Sequence, residues 1–156
     1  MDTKIFIHGL ESSSQGVKGK YFREKFPDMI IPDFTGSLEN RMKKLRTLLK
    51  GKSNIKIIGS SYGGLMATIF AMEEPMVSQM ILLAPAINYI SMAVEDIKKI
   101  HIPVWIYHGI DDNIIPLNEV KQVARDIFTN LYFNIVNDNH YLHNTLKVIP
   151  WIKLLS

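Results

Sequence analysis

Two adjacent hydroxyls, Ser60 and Ser61, stand in "IKIIGSSYGG" (55–64), where an apolar run stops at Gly59 and the helix-like "LMATIFAMEE" follows. Such a turn is either ordinary loop composition or the display of a nucleophile. Two further stretches carry the groups that a hydroxyl nucleophile needs. "HGIDDN" holds the carboxylates Asp111 and Asp112, and "NDNHYLH" holds the imidazoles His140 and His143. A hydroxyl, a carboxylate and an imidazole can together carry out acyl transfer. The imidazole takes the hydroxyl proton, and the carboxylate fixes the tautomer of the imidazole. Between the serines, bulk decides. A turn tight enough to lift a side chain clear of a sheet has no room for large residues two positions before and after it. Around Ser61 these are Gly59 and Gly63; around Ser60 they are Ile58 and Tyr62. Ser61 is therefore the candidate. A helix starting near Gly63 also turns its positive end toward that hydroxyl.

The elements that must position these groups alternate along the chain. Strand character is found in "KIFIHG" (4–9), "MIIPDF" (29–34), "NIKIIGS" (54–60), "SQMILLAPA" (78–86), "PVWIYHG" (103–109) and "LYFNIVND" (131–138). Pro32 assigns the second of these to a sheet edge. Helical character is found in 20–26, 38–52, 64–74, 91–100, 116–128 and 143–155, the last interrupted at Pro150. The inner strands are apolar throughout rather than alternating, the pattern of strands covered on both faces. A mostly parallel α/β sheet in one domain spanning 1–156 follows, and ligands of such sheets bind at the carboxyl ends of the strands. Ser61, the Asp111–Asp112 pair and His140 all fall at such ends.

Composition narrows the classes. The 156 residues are 47% hydrophobic and 21% charged, with a formal net charge of +3 and no cysteine. Thiolate chemistry and disulfides are thereby excluded. No apolar run approaches the roughly 18 residues of a membrane span, and "MDTKIFIHG" lacks the pattern of a secretory signal, so a cytoplasmic location is expected. The basic segment "LENRMKKLRTLLKGK" (38–52) carries an apolar stripe of Leu38, Met42, Leu45 and Leu49. Its cations read as a solvated helix face rather than a nucleic-acid surface, because no aromatic residues are interleaved for base stacking.

Four separated segments carry a family resemblance. "GSSYG" (59–63) fits G-x-S-x-G, "HGLESS" (8–13) resembles an oxyanion loop, "HGIDDNIIP" (108–116) an acid loop, and "NDNHYLHN" (137–144) a histidine loop. Together they resemble the small α/β-hydrolase family, most closely its compact YqiA-type serine esterases. The resemblance implies six parallel strands in spatial order 2-1-3-4-5-6, helices on both faces and no large lid. It implies Ser61, Asp112 and His140 as the catalytic residues and places the oxyanion-hole amides at Leu10 and Tyr62. Asp112 matches the family spacing after Gly109, and Asp111 matches it one residue worse. Asp138 is the next acid to consider. His143 is the rival to His140, with helix capping or exposure as its plainer role. His8 reads as a hydrogen-bonding tie for its loop, and Glu11, Ser12, Ser13 and Ser14 as lining or support.

A shallow site without a lid would be bordered by Leu10, Tyr62, Tyr89, Met92 and Ile114, which suit a short acyl or aryl group. The expected reaction is hydrolysis of a small-molecule carboxylic ester, with no cofactor and no metal. Three other readings compete. A metal hydrolase would use His140, His143 and the aspartates, but an i, i+3 pair at a loop–helix junction is no open metal site. A hydrolase fold acting mainly as a protein-interaction module is possible in principle because fold does not dictate function. A nucleic-acid binder through the basic helix is the third.

Overall fold

The computed structural model describes residues 2–156. In chain order its elements are β1 (Thr3–Ile7), α1 (Val17–Lys25), α2 (Leu38–Leu49), β2 (Ile55–Ser60), α3 (Tyr62–Glu73) and β3 (Val77–Leu83). A 3-10 turn (Ile87–Tyr89), α4 (Ile90–Ala93), β4 (Val104–Gly109), α5 (Leu117–Ile127), β5 (Leu131–Val136), α6 (His143–Leu146) and α7 (Trp151–Leu154) complete it. The strands form one parallel sheet in order β1-β2-β3-β4-β5.

The sheet has five strands, not the six expected. Residues 29–34 do lie beside β1, but they pair with it at one bridge, Ile5 with Ile30. Ile30 donates to the Lys4 carbonyl (2.8 Å) and accepts from the Phe6 amide (3.0 Å). The next residue facing the same edge is Pro32, which has no N–H to donate, so the ladder stops after one rung. The expected helix over 91–100 also shortens, to α4 alone. Val94 is extended, the chain bends at 95–96, and Ile100 pairs with Phe128 instead. Over 143–155 the break at Pro150 separates α6 from α7, as the proline requires.

Alternation along the strands sends side chains to two apolar layers. Ile5, Ile7, Ile57, Met80, Leu82 and Ile106 pack with Met42, Leu45 and Leu49 of α2, with Leu65 and Phe70 of α3, and with Val120 and Ala124 of α5. Phe6, Ile58, Ile81 and Leu83 point the other way, toward Phe22 of α1, Leu146 of α6 and Trp151 of α7. Phe22 and Trp151 meet edge to face at 4.9 Å, and the Trp151 indole N–H is satisfied by the Leu146 carbonyl at 2.8 Å. Helices therefore cover both faces, and the strand ends that carry Ser61, Asp112 and His140 share one edge.

Candidate active site

Ser61 follows the last residue of β2 and precedes the first of α3, with φ +55° and ψ −115°. A non-glycine residue with positive φ costs free energy and persists only where its surroundings over-determine it. Here they do. The Ser61 amide donates to the Leu83 carbonyl at 2.9 Å, and its own carbonyl accepts from Gly64 and Ala86 at 2.9 Å each. The flanking glycines are required by contact. A Cβ at Gly63 would meet the Ile7 carbonyl oxygen at 2.1 Å, and one at Gly59 would meet the Gly63 oxygen at 2.6 Å. Ser60, by contrast, is an ordinary strand residue paired with Leu83. The elbow geometry belongs to Ser61.

Asp112 and His140 come together across the loops after β4 and β5. His140 Nδ1 lies 2.8 Å from Asp112 Oδ2, and the carboxylate has no solvent exposure. A carboxylate so placed holds the proton on Nδ1 and leaves the Nε2 lone pair free. The other oxygen, Oδ1, accepts from the amides of Ile114 (2.9 Å) and Ile115 (2.8 Å), which locks the carboxylate in place. Asp111 is exposed and contributes its amide, not its carboxylate, to the packing of the loop. Asp138 is buried but caps α6. Its Oδ2 accepts from the Thr145 amide and hydroxyl, and its Oδ1 from the Asn139 amide. Burial raises the Asp138 pKa, but these hydrogen bonds outweigh it and hold the carboxyl below its ordinary range.

A cavity of about 600 Å³ opens over this edge, and Ser61, His140, Leu10, Tyr62, Tyr89 and Ile114 line it. Met92 does not line it. The one-turn α4 turns that side chain outward, 85% exposed. His143 borders the cavity from the first residue of α6. Ser61 and His140 thus face one space, with no hydrogen bond between them among the described residues. Tyr62 contributes the first amide of α3, one of those that no carbonyl of the helix can satisfy.

Four residues to which the sequence reading gave no part in the site also bear on it, among them Arg41, which is buried rather than on the solvated helix face expected for it. His108, fully buried, donates its Nε2 proton to the Ile115 carbonyl (2.9 Å) and lies 3.3 Å from Asp112 Oδ2. Burial lowers its pKa and keeps it neutral. Lys18 lines the cavity and donates to the Tyr141 carbonyl at 2.7 Å, and burial pulls its pKa down to about 8. Asp33 accepts from both the amide and the hydroxyl of Ser14, which ties down the far end of the loop after β1. Arg41 reaches the Leu10 carbonyl from α2. His8 does tie this loop. Its Nε2 accepts from the Phe34 amide at 2.9 Å, which leaves Nδ1 protonated to donate to the Gly9 carbonyl at 2.7 Å. Among the described residues no three His, Cys, Asp or Glu side chains are grouped to share a metal ion, and no helix is long and apolar enough to cross a membrane.

The sheet, the elbow at its carboxyl edge and the two covering layers define an α/β-hydrolase fold. The model of the dienelactone hydrolase family matches residues 11–135, and the chain belongs to that family. The matched span contains Ser61 and Asp112 and stops before His140. Solved structures with the same fold include mouse alpha/beta hydrolase domain-containing protein 10, at TM-score 0.76 and 18% identity over 99% of this chain and 90% of the other. Est1E from Butyrivibrio proteoclasticus aligns at TM-score 0.75 and 17% identity over 98% of this chain and 87% of the other. The esterase EaEST from Exiguobacterium antarcticum aligns at TM-score 0.76 and 11% identity, covering 98% and 92% of the two chains. No curated protein sequence matches the chain.

Proposed function

We propose that the chain is a serine hydrolase of carboxylic esters that works through Ser61, Asp112 and His140 by way of an acyl-enzyme. One observation carries the reading above the others. A buried carboxylate bonds an imidazole 28 residues away at 2.8 Å, over the cavity that also receives the strained Ser61. A capping or turn role for Asp112 alone would call for no such imidazole.

The steps follow from the chemistry of each group. His140 Nε2 takes the proton of Ser61 Oγ as the oxygen attacks the ester carbonyl, and Asp112 stabilises the imidazolium. Negative charge collects on the carbonyl oxygen, where the amides of Leu10 and Tyr62 donate to it. The tetrahedral intermediate collapses, the C–O bond to the alcohol breaks, and His140 returns its proton to that leaving group. Water, deprotonated by the same imidazole, then attacks the acyl-enzyme; the bond to Ser61 Oγ breaks, His140 returns the proton to that oxygen, and the acid is released. Leu10, Tyr62, Tyr89 and Ile114 give the cavity an apolar border that suits a short acyl or aryl substituent.

Covalent labelling by a fluorophosphonate, followed by an ester and thioester screen, tests this directly. The expected result is one label on the peptide containing Ser61, abolished in Ser61→Ala, together with turnover of short-chain esters. Labelling at Ser60, or full labelling of Ser61→Ala, would overturn the proposal. A folded protein with neither label nor turnover would favour an interaction module.

A further inference from the structure

Arg41 occupies a position where an apolar residue would be expected. It lies three residues after Leu38 and four before Leu45, within the buried side of α2, and it is only 5% exposed. Its Nε donates to the Gly36 carbonyl at 3.0 Å, and Nη2 reaches the Leu10 carbonyl at 3.4 Å. The guanidinium lies over the Tyr62 ring, 5.4 Å from its centroid. Nη1 is buried with no hydrogen-bond partner, and no carboxylate pairs with the charge among the described residues. Burying a cation without an acid beside it costs several kcal/mol, whereas a methionine in the same place would extend the stripe at no such cost.

The residues this charge touches are informative. Leu10 and Tyr62 are the two whose amides would form the oxyanion hole. We infer that Arg41 is a positioning residue for that hole, acting through both of its halves; the inference rests on the hydrolase reading above. Holding the Leu10 carbonyl fixes the torsion that aims the exposed tip of the loop. Stacking on Tyr62 fixes the first residue of α3. Two other ties flank the Leu10 contact: His8 holds the Gly9 carbonyl, in the peptide unit that carries the Leu10 amide, and Asp33 holds Ser14 at the far end of the loop. Arg41 thus fixes the following peptide, that of the Leu10 carbonyl. The unneutralised guanidinium also lends positive potential to the region where negative charge develops, and low dielectric strengthens that effect.

Arg41→Met is the decisive variant, since it keeps length and apolar packing while removing the charge and the donors. With a short-chain ester, kcat should fall on the order of 10- to 100-fold with KM little changed, below the loss for deleting an oxyanion donor outright. Affinity for a trifluoromethyl ketone, which forms an oxyanion on the nucleophile, should fall in parallel. Thermal stability should be unchanged or higher. Arg41→Lys, which retains the charge and one donor, should recover part of both losses. Should Arg41→Met fail to fold, Arg41→Lys carries the test: parental kcat and ketone affinity would overturn the inference, and a fall in both would support it. Unchanged kcat and ketone affinity in folded Arg41→Met, with Ser61→Ala inactive, would overturn the role of Arg41 and leave the hydrolase reading standing. Turnover persisting in Ser61→Ala would overturn both.

Discussion

The turn that carries Ser61 and the loop that faces it, residues 8–16, are held in shape by different means. The turn is held from within. Gly59 and Gly63 let backbone pass within the space of a missing Cβ, and the carbonyls of β1 and β3 close around it. The facing loop makes turn bonds of its own, Ser12 to the Gly9 carbonyl and Gly16 to the Ser13 carbonyl at 3.2 Å each, but no backbone lies closer than 3.4 Å to where a Cβ would stand at Gly9 or Gly16. It is tied from outside, by Phe34 on His8, by Asp33 on Ser14 and by Arg41 on Leu10. One half of the site is therefore built by local sterics and the other by polar contacts from distant residues. Rigidity of the first kind is insensitive to charge and pH; rigidity of the second kind is not.

Glycine substitutions test the contrast most severely. Gly63→Ala would drive a Cβ to 2.1 Å from the Ile7 carbonyl oxygen, where only backbone can give way. A loss of about 3 kcal/mol or more in unfolding free energy is expected, along with loss of fluorophosphonate labelling. Gly9→Ala, in the facing loop, would place its Cβ at ordinary contact distance, 3.5 Å, from Ser60 and Ser61. Stability within about 0.5 kcal/mol of the parent is expected there. Denaturant melts that rank the two variants equally would end the distinction.

Next in size come the carboxylates. Asp112→Asn should reduce turnover by about 10⁴ by leaving the imidazole in the wrong tautomer, with the fold retained. Asp111→Asn should stay close to the parent, since its exposed side chain takes no part in the contact with His140. If Asp111→Asn proves the damaging change, the His140–Asp112 contact is not the working one. Asp33→Asn should fall between them, lowering turnover severalfold and raising hydrogen exchange in the facing loop while the Ser61 turn stays protected. Ser14 holds the Asp33 carboxyl below its ordinary range through two hydrogen bonds. The stability this adds is present at neutral pH and lost as pH falls through that lowered value. Acid should therefore loosen the loop before the turn, and exchange that rises equally in both would contradict the comparison.

Local sterics were readable from the chain for the same reason that they are robust. Glycines two before and two after Ser61 point to the elbow in any context. The carboxylate and imidazole were readable because strand ends converge on one edge of a parallel sheet. Ties from distant residues were not. Nothing in "SSSQ" names Asp33 as the partner of Ser14, because the pairing depends on how 29–34 settles beside β1. The failure of 29–34 to form a strand was closer to hand. Pro32 falls two residues after Ile30, on the edge that must donate to β1, so strand parity alone limits the ladder to one rung. Arg41 also left a trace, at 38–41–45 spacing within an apolar stripe. Read as one of six cations on a basic helix, it was lost among its neighbours, and Arg46, paired with Glu73 at the surface, shows what the ordinary kind looks like.

The smallest effect expected lies at Lys18, which braces the histidine loop through the Tyr141 carbonyl. Burial lowers its pKa from 10.5 to about 8, against the pull of Asp138. Below about pH 8 the ammonium is present in folded and unfolded chains alike, and its burial cost is felt in full. Between about 8 and 10.5 the unfolded chain holds the proton that the folded chain has released. Unfolding then takes up a proton, and stability contributed by this residue rises with pH across that window. Comparison with a variant that lacks this amine isolates its contribution. Lys18→Met supplies the reference. The difference in denaturant midpoint between parent and Lys18→Met should shift toward the parent as pH rises from 8 to 10.5, and should be flat on either side. Because the amine is partly solvated, the shift should be small. A difference independent of pH would mean that Lys18 stays charged in the fold, and that its bond to Tyr141 braces the loop as an ordinary surface contact would.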